Sequence, residues 1–399
     1  MSWPSAALGE ITLKIGSGST PRGGSESYKS CGVPLIRSMN VHDGEFVDDG
    51  LAYLDDSQAA ALKHVTLQAG DVLLNITGAS VARVCRLPEQ LAGSRVNQHV
   101  SIVRPDGNKL DTNFLAHLLR APEAKRRLLH VAGAGATREA ITKTQIEEFR
   151  IPLPPLSEQR RISAVLDKAD ALRQMRKRAL NLLDGLTRST FMEMFGDPVR
   201  NPRGWPIVSL GKVSTRVSKG ESPGWQGFEY QASGIRFITS ENVGWGKILR
   251  KDKFIPEAFN SKIERSELRA NDLLINIVGA SIGRATLVSR ELLPANVNQA
   301  VAVVTLIPNQ ILPEFALQQI LTPHTQQLLL GEVVEVARAN ISLTNIKNLK
   351  IILPALSTQK QFVEQSKTIA EQASLLRKSL ELSELLFSAL QDRSFSGQL

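Results

Sequence analysis

The chain is written twice. Asp71-Val-Leu-Leu-Asn-Ile-Thr-Gly-Ala-Ser-Val-Ala-Arg83 returns as Asp272-Leu-Leu-Ile-Asn-Ile-Val-Gly-Ala-Ser-Ile-Gly-Arg284, with eight of thirteen positions identical. Other echoes keep the same order. Leu8-Gly9 answers Leu210-Gly211, Gly32 to Val41 answers Gly234 to Val243, and Asn97-Gln98 answers Asn298-Gln299. Ile141 to Ile146 answers Ile341 to Ile346, and Leu153 to Ser157 answers Leu353 to Ser357, while the offset drifts only from 202 to 200. Two copies of a long unit make a duplicated module, not a solenoid of many short repeats.

Each copy changes character twice. Its first part is rich in Gly, Ser, Asn and Pro, with short β-branched runs at 72–76 and 100–103 and at 273–278 and 301–307. Runs of this length between turn residues read as strands. Helical stretches follow at 113–131 and 313–330. Next come proline-marked crossings, Ile151-Pro-Leu-Pro-Pro155 and Ile351-Ile-Leu-Pro354, the first of which cannot be helix interior.

Beyond each crossing the sequence is strongly helical, with Ser157 and Ser357 where N-caps belong. Apolar residues recur at Ile162, Val165, Leu166, Ala169, Leu172, Met175, Ala179, Leu182, Leu183 and Leu186. The second stripe runs through Phe362, Ile369, Ala373, Leu376, Leu380, Phe387 and Leu390. Such spacing gives one apolar face on each helix, and a helix of about 55 Å needs a long partner to cover it. Antiparallel pairing would make a coiled-coil rod with a module at each end and an approximate internal two-fold. The expected fold is therefore α/β: two strand-rich recognition domains, 1–155 and 197–355, separated by long helices at 156–196 and 356–399.

Composition narrows the function. The 399 residues carry a formal charge of +9 and a pI near 9.6, a bias that suits a polyanionic partner. Only Cys31 and Cys85 are present, so neither a disulfide framework nor a cysteine zinc site is available, as befits a reducing cytoplasm. No apolar run is long enough for a membrane span, and Met1-Ser2-Trp3-Pro4 does not open a signal peptide. Gly16-Ser-Gly18 and Gly133-Ala-Gly135 lack the rest of a nucleotide-loop fingerprint and read as turns. There is no P-loop and no Asn-Pro-Pro-Tyr-type methyltransferase motif. The six histidines (His42, His64, His99, His117, His130, His324) show no metal-ligand spacing.

Two modules with a basic surface and a two-fold suit a two-part site on duplex DNA. Polar residues shared by both copies should be scaffold or phosphate contacts: Asn75, Ser80 and Arg83 with Asn276, Ser281 and Arg284. Asn97 and Gln98 with Asn298 and Gln299, and Arg138 with Arg338, belong to the same group. Residues that tell two half-sites apart should differ between copies. Candidate base readers are Arg22, Lys29, Arg37, Ser38 and Asn40 in the first module, with Arg37 foremost. Their counterparts in the second are Lys219, Trp225, Gln226, Arg236 and Ser240. The cluster Arg173-Gln-Met-Arg-Lys-Arg178 is a solvated helix face or a contact with DNA or a partner.

This ordered duplication resembles the specificity subunits of type I restriction–modification systems. The resemblance rests on Leu8-Gly9-Glu10-Ile11 with Gly16-Ser-Gly-Ser-Thr-Pro21, and on Trp205-Pro-Ile-Val-Ser-Leu-Gly211. Added to these are the two Asp71 and Asp272 segments, both Asn-Gln pairs, and Ile151-Pro-Leu-Pro-Pro-Leu-Ser-Glu-Gln-Arg160. It implies a non-catalytic subunit whose two target-recognition domains read an interrupted DNA sequence. It further implies two modification subunits bound to the helices, methylating with S-adenosylmethionine, and in some complexes a restriction subunit using ATP and magnesium. No cofactor is expected on this chain itself. One departure is that Ser157-Glu-Gln-Arg-Arg161 becomes Ser357-Thr-Gln-Lys-Gln361, so the two subunit-binding ends need not be equivalent. The competing readings are a coiled-coil scaffold joining two protein-binding modules and a duplicated DNA-modifying enzyme.

Overall fold

A computed structural model describes residues 3–133, 140–331 and 340–398. It divides into two compact units, 1–178 with 377–399, and 179–376. In the first unit a four-stranded antiparallel sheet is ordered Thr12–Ser17, Val100–Pro105, Val72–Asn75, Val84–Arg86. The second repeats it as Ser214–Lys219, Val301–Leu306, Leu273–Asn276, Ala285–Leu287. Consecutive side chains of a strand leave on opposite faces, and here both faces are covered. Val72 and Leu74 join one core cluster with Phe114 and Ile162, whereas Leu73 joins another with Leu35 and Val96. Leu273 and Ile275 likewise part from Leu274. Burial on two sides is why these strands read as unbroken apolar runs rather than alternating ones.

The second face is covered by a three-stranded sheet with Val33–Ile36 at its centre, between Ala52–Leu54 and Arg95–Val96. Its twin centres on Ile235–Ile238, between Phe254–Ile255 and Ala295–Val297. Each expected helical stretch is broken once by proline. The pairs are Thr112–Arg120 with Pro122–Gly133, and Pro313–Ile320 with Pro323–Gly331. Pro122 and Pro323 each open the second helix of their pair, where the missing N–H costs nothing. The crossings return to the start of their modules, since Ser5–Ala7 pairs antiparallel with Arg150–Pro152 and Ile207–Ser209 with Lys350–Ile352.

The two long helices are Leu156–Phe195 and Leu356–Phe395. They run antiparallel: in the first unit Arg173 stacks on Phe387 and Arg176 donates to Ser383, so rising numbers on one helix meet falling numbers on the other. Ser157 and Ser357 are not the caps. Both helices begin one residue earlier, and the carbonyls of Pro155 and Ala355 accept the first-turn N–H groups. The invariant feature of this turn is glutamine. Fully buried Gln159 accepts from the Asp111 N–H at 2.8 Å and donates to the Lys109 and Pro154 carbonyls. Gln359 does the same with Leu312, Gln310 and Pro354. Each long helix is thus fastened to its module by one amide.

The first apolar stripe is covered only in part. Ile162 and Leu166 are fully buried, but Leu172, Met175, Leu182 and Leu186 are 45%, 66%, 77% and 42% exposed. The expectation of a stripe buried along its whole length therefore fails in the middle of the first helix, where the module core no longer reaches.

Candidate nucleic-acid interface

One end of each four-stranded sheet gathers the polar residues that recur in both copies. Asn75, at the end of its strand, is fully buried and donates to the Ser38 carbonyl at 2.8 Å. Asn276 donates to the Ser240 carbonyl, also at 2.8 Å. Each asparagine ties the strand of one sheet to the loop leaving the other. Its remaining oxygen is buried without a protein partner.

Beyond these asparagines the chain makes an exposed turn, Gly78–Ser80 or Gly279–Ser281, whose glycines have φ of +71° and +74°. A side chain there would be strained. Arg83 and Arg284 follow these turns, each half-buried. Glycine is needed a second time at Gly18 and Gly220, where an added Cβ would fall 1.6 Å from the carbonyl oxygens of Val96 and Val297. Gly16 and Ser17 close a strand, with Gly18 in the loop beyond it, and Gly133 closes a helix. Gly135 lies outside the described residues.

The Asn-Gln pairs sit on the same rim with unequal roles. Asn97 is 5% exposed and its side-chain oxygen accepts from the His99 N–H at 3.1 Å; Asn298 accepts from Ala300 at 3.1 Å. Both hold the turn before the next strand. Gln98 is exposed and joins a relay that the sequence does not reveal. Thr20 donates to its oxygen, its nitrogen lies 3.1 Å from His99 Nε2, and His99 Nδ1 lies 2.6 Å from the Thr77 hydroxyl. Three loops are thereby linked. In the second module Val278 and Ala300 replace Thr77 and His99, and the Gln299 oxygen is buried without a partner.

Among the expected base readers, Asn40 is corrected, and Ser38 and Ser240 prove to be the same residue at matched positions, which cannot by itself tell two half-sites apart. Asn40 is fully buried, accepts from the Arg37 N–H and donates to the Val47 and Asp49 carbonyls. Asn242 makes the corresponding bonds to Thr239, Leu249 and Lys251. The residue is a loop fastener common to both copies. Arg37 is half-buried, stacked 5.4 Å over the Tyr28 ring, and spends one guanidinium N–H on the Gly50 carbonyl. Arg22 is exposed, and Lys29 is exposed with Asp55 at 3.6 Å. Ser38 and Ser240 stand half-buried on the rim.

In the second module, Lys219 ends its strand exposed and Trp225 is 83% exposed, with Gln226 beside it bonded to Glu221. Arg236 is not in a loop. It lies on the central strand of the three-stranded sheet, 3.7 Å from Asp252, in a cleft of about 280 Å³ with Arg250 and Lys251. Arg138 and Arg338 lie outside the described residues.

Electrostatics beneath the rim are fixed by a buried carboxylate in each sheet. Arg104 Nε approaches Asp71 at 2.7 Å, and Arg216 Nη2 approaches Asp272 at 2.6 Å. Two histidines hold carboxylates away from the rim: His117 Nε2 meets Asp167 at 2.8 Å, and His324 pairs with Asp197. Burial opposes ionisation of Asp167, but the His117 hydrogen bond and the Arg86 charge hold its carboxyl below the usual range. Cys85 is buried, which pushes its thiol up to about 12 and leaves it inert.

The architecture can be set beside known proteins. The family described as type I restriction modification DNA specificity domain matches twice, at residues 2–183 and 202–381. The putative type I restriction enzyme MjaX specificity subunit of Methanocaldococcus jannaschii is 22% identical over 100% of this chain and 93% of its own length. The MjaVIII specificity subunit of the same organism is 23% identical over 89% of this chain and 84% of its own. A solved chain from work on complex assembly and conformational transition of the type I R-M system shares the fold, with a TM-score of 0.62, 20% identity, and coverage of 100% and 98%. The type I restriction-modification S subunit from M. genitalium has a TM-score of 0.60 at 13% identity, over 99% and 96%. With its module matched in both copies and the fold shared along its length, this chain belongs to the type I restriction-modification DNA specificity family.

Proposed function

We propose that each module reads one half of an interrupted duplex DNA sequence and that the chain directs methylation there without catalysing it. The observation that carries this reading is a common frame with different displays. The same asparagines and glycines build both rims, yet at matched loop positions one module presents Arg22-Gly23 and the other Gly224-Trp225. Frame residues cannot distinguish two half-sites; displayed residues can. Lys29, Lys219, Gln226 and Arg236 belong to the display, and Arg37 positions it. Ser80 and Arg83 with Ser281 and Arg284 are assigned the phosphate contacts, a role supported by their recurrence at the same rim turn in both modules.

The long helices are the docking surface for two modification subunits. Exposed Leu172, Met175 and Leu182 on one helix and Leu375, Leu382 and Leu385 on the other support this, because apolar residues in such number mark an interface. S-adenosylmethionine belongs to those partners, and ATP and magnesium to a restriction subunit where the complex cleaves. The compartment is the cytoplasm, where the DNA is; among the described residues no helix is long and apolar enough to cross a membrane.

Mapping methylated positions produced by the assembled complex tests the reading directly. A two-part target is expected, and Arg22→Ala should relax a position in one half at a cost of about 1–3 kcal/mol. Methylation without sequence preference, or a preference unmoved by every displayed residue, would refute it.

A further inference from the structure

Trp225 is the most exposed large apolar side chain described, at 83%. Exposure of an indole on a floppy loop would mean little, but this loop is fastened on both sides. Gly220 is pressed against the Val297 carbonyl, where no Cβ fits. Pro223 is buried, and its carbonyl accepts from the Phe228 N–H at 3.0 Å. Phe228 packs on Phe259 at 5.2 Å, with the Lys262 ammonium 4.9 Å from its ring. Glu221 is held by both Gln226 and Arg265. Between these anchors Pro223–Gln226 forms one helical turn that holds the indole outward, and exposed Lys219 ends the strand that leads into this loop. The matched position of the first module is Gly23, in a loop without tryptophan.

We propose that Trp225 is a wedge: it stacks on a base at a partly opened step of the half-site read by the second module. An aromatic face stacks on any base, and apolar side chains pressed between base pairs open the step they enter. A rigid mount keeps the indole from folding back onto the protein. Lys219 supplies the neighbouring phosphate contact. The first module lacks the wedge, so only one half of the target is opened. This inference rests on the DNA-reading function proposed above.

The test uses the complex of this chain with its modification subunit. The duplex carries 2-aminopurine at each position of both halves in turn. Apart from the bases extruded for methylation, fluorescence should rise at one further position, in a single half. Trp225→Ala should abolish that rise and weaken binding about ten- to hundredfold, while Trp225→Phe should keep most of both. The base extruded by the methylating subunit gives its own signal, which both variants should leave unchanged. If the wild-type complex discriminates its target and Trp225→Ala keeps both signal and affinity, the wedge is overturned and the reading function stands. Loss of the modification subunit from Trp225→Ala, with DNA binding by the chain intact, also overturns it and makes the indole a protein contact. A wild-type complex that treats cognate and random duplex alike overturns the function and the wedge together.

Discussion

The two modules receive their long helices with opposite chemistry. In the second unit the seat is aromatic: Phe191, Phe195, Phe315 and Phe362 are all fully buried, with Phe195 4.8 Å from Phe315 and 5.7 Å from Phe362. The first unit keeps Phe114 opposite Phe395, at 5.5 Å, but has Ile162 and Gln391 where the other has Phe362 and Phe191. Charge holds the rest. Asp170 takes Arg120 at 3.0 Å and Arg173 at 2.7 Å; Asp167 takes His117, and Gln391 reaches the His117 carbonyl. Arg173 also lies over the Phe387 ring at 4.7 Å. The comparison teaches that duplication preserved where the helix docks, through Gln159 and Gln359, while the remaining contacts drifted to whatever filled the same space.

The largest effect is expected where packing dominates. Phe362→Ala removes a side chain at the centre of the aromatic seat and should cost about 3–5 kcal/mol. Hydrogen exchange should rise in 356–376 and 191–195 and stay unchanged in 156–170. Equal loosening of both regions would mean that the two docking seats unfold as one and that the comparison is false.

The ionic seat should yield less to mutation and more to acid. Asp170→Asn leaves Arg120 and Arg173 facing a neutral amide. Asp170 is buried but its arginine partners are only half-buried, so a loss of about 2 kcal/mol is expected, below that of a sealed ion pair. Burial raises the carboxyl of Asp170, but Arg120 and Arg173 outweigh it and hold it below the usual aspartate range. Asp167 is depressed as well. A depressed carboxyl stabilises the fold fully above its unfolded value and loses that contribution as pH falls through its folded value. Below about pH 4 the first unit's helix contacts should therefore loosen before the second's. In the second unit Asp197, also depressed, holds only the turn of Val199 and Arg200 and the His324 contact. Acid titration followed by exchange in 377–395 against 356–376 measures the order; simultaneous loosening would refute it.

How much of this was open to sequence reasoning depends on whether a residue acts through pattern or through shape. The duplication, the strands and the long helices follow from periodicity and from order. The frame asparagines followed from recurrence, and the same signal could have exposed Gln159 with Gln359 and Asn40 with Asn242, both visible as repeated letters. Asn40 was misread because its role lies in carbonyls of Val47 and Asp49, which no side-chain pattern announces. The partial exposure of the first stripe was hidden because periodicity fixes which face is apolar, not how far a globular core extends beneath it. The Thr20–Gln98–His99–Thr77 relay joins residues up to 78 apart and has no twin, so neither spacing nor repetition could show it.

The smallest effect should come from a substitution that converts one module's sheet into the other's. Arg104 in the first sheet and Arg216 in the second serve the same carboxylate position, Asp71 or Asp272, but from different strands. Arg104 faces Lys14 across its strand pair, whereas Arg216 faces Thr305. Both guanidinium groups still reach one equivalent carbonyl, that of Thr66 for Arg104 and that of Glu267 for Arg216. In the second sheet the threonine hydroxyl completes the set, donating to Asp272 at 2.6 Å. The space beside the carboxylate therefore needs one guanidinium, and either neighbouring strand can send it. Arg104→Thr alone strands a buried carboxylate. Adding Lys14→Arg should return the missing guanidinium from the adjacent strand and bring the double variant within about 1 kcal/mol of the parent, a coupling that a double-mutant cycle by chemical denaturation measures. A double variant no more stable than Arg104→Thr would show that the strands are not interchangeable here. The mirrored arrangement of the two modules would then be two separate solutions rather than one guanidinium moved across a strand.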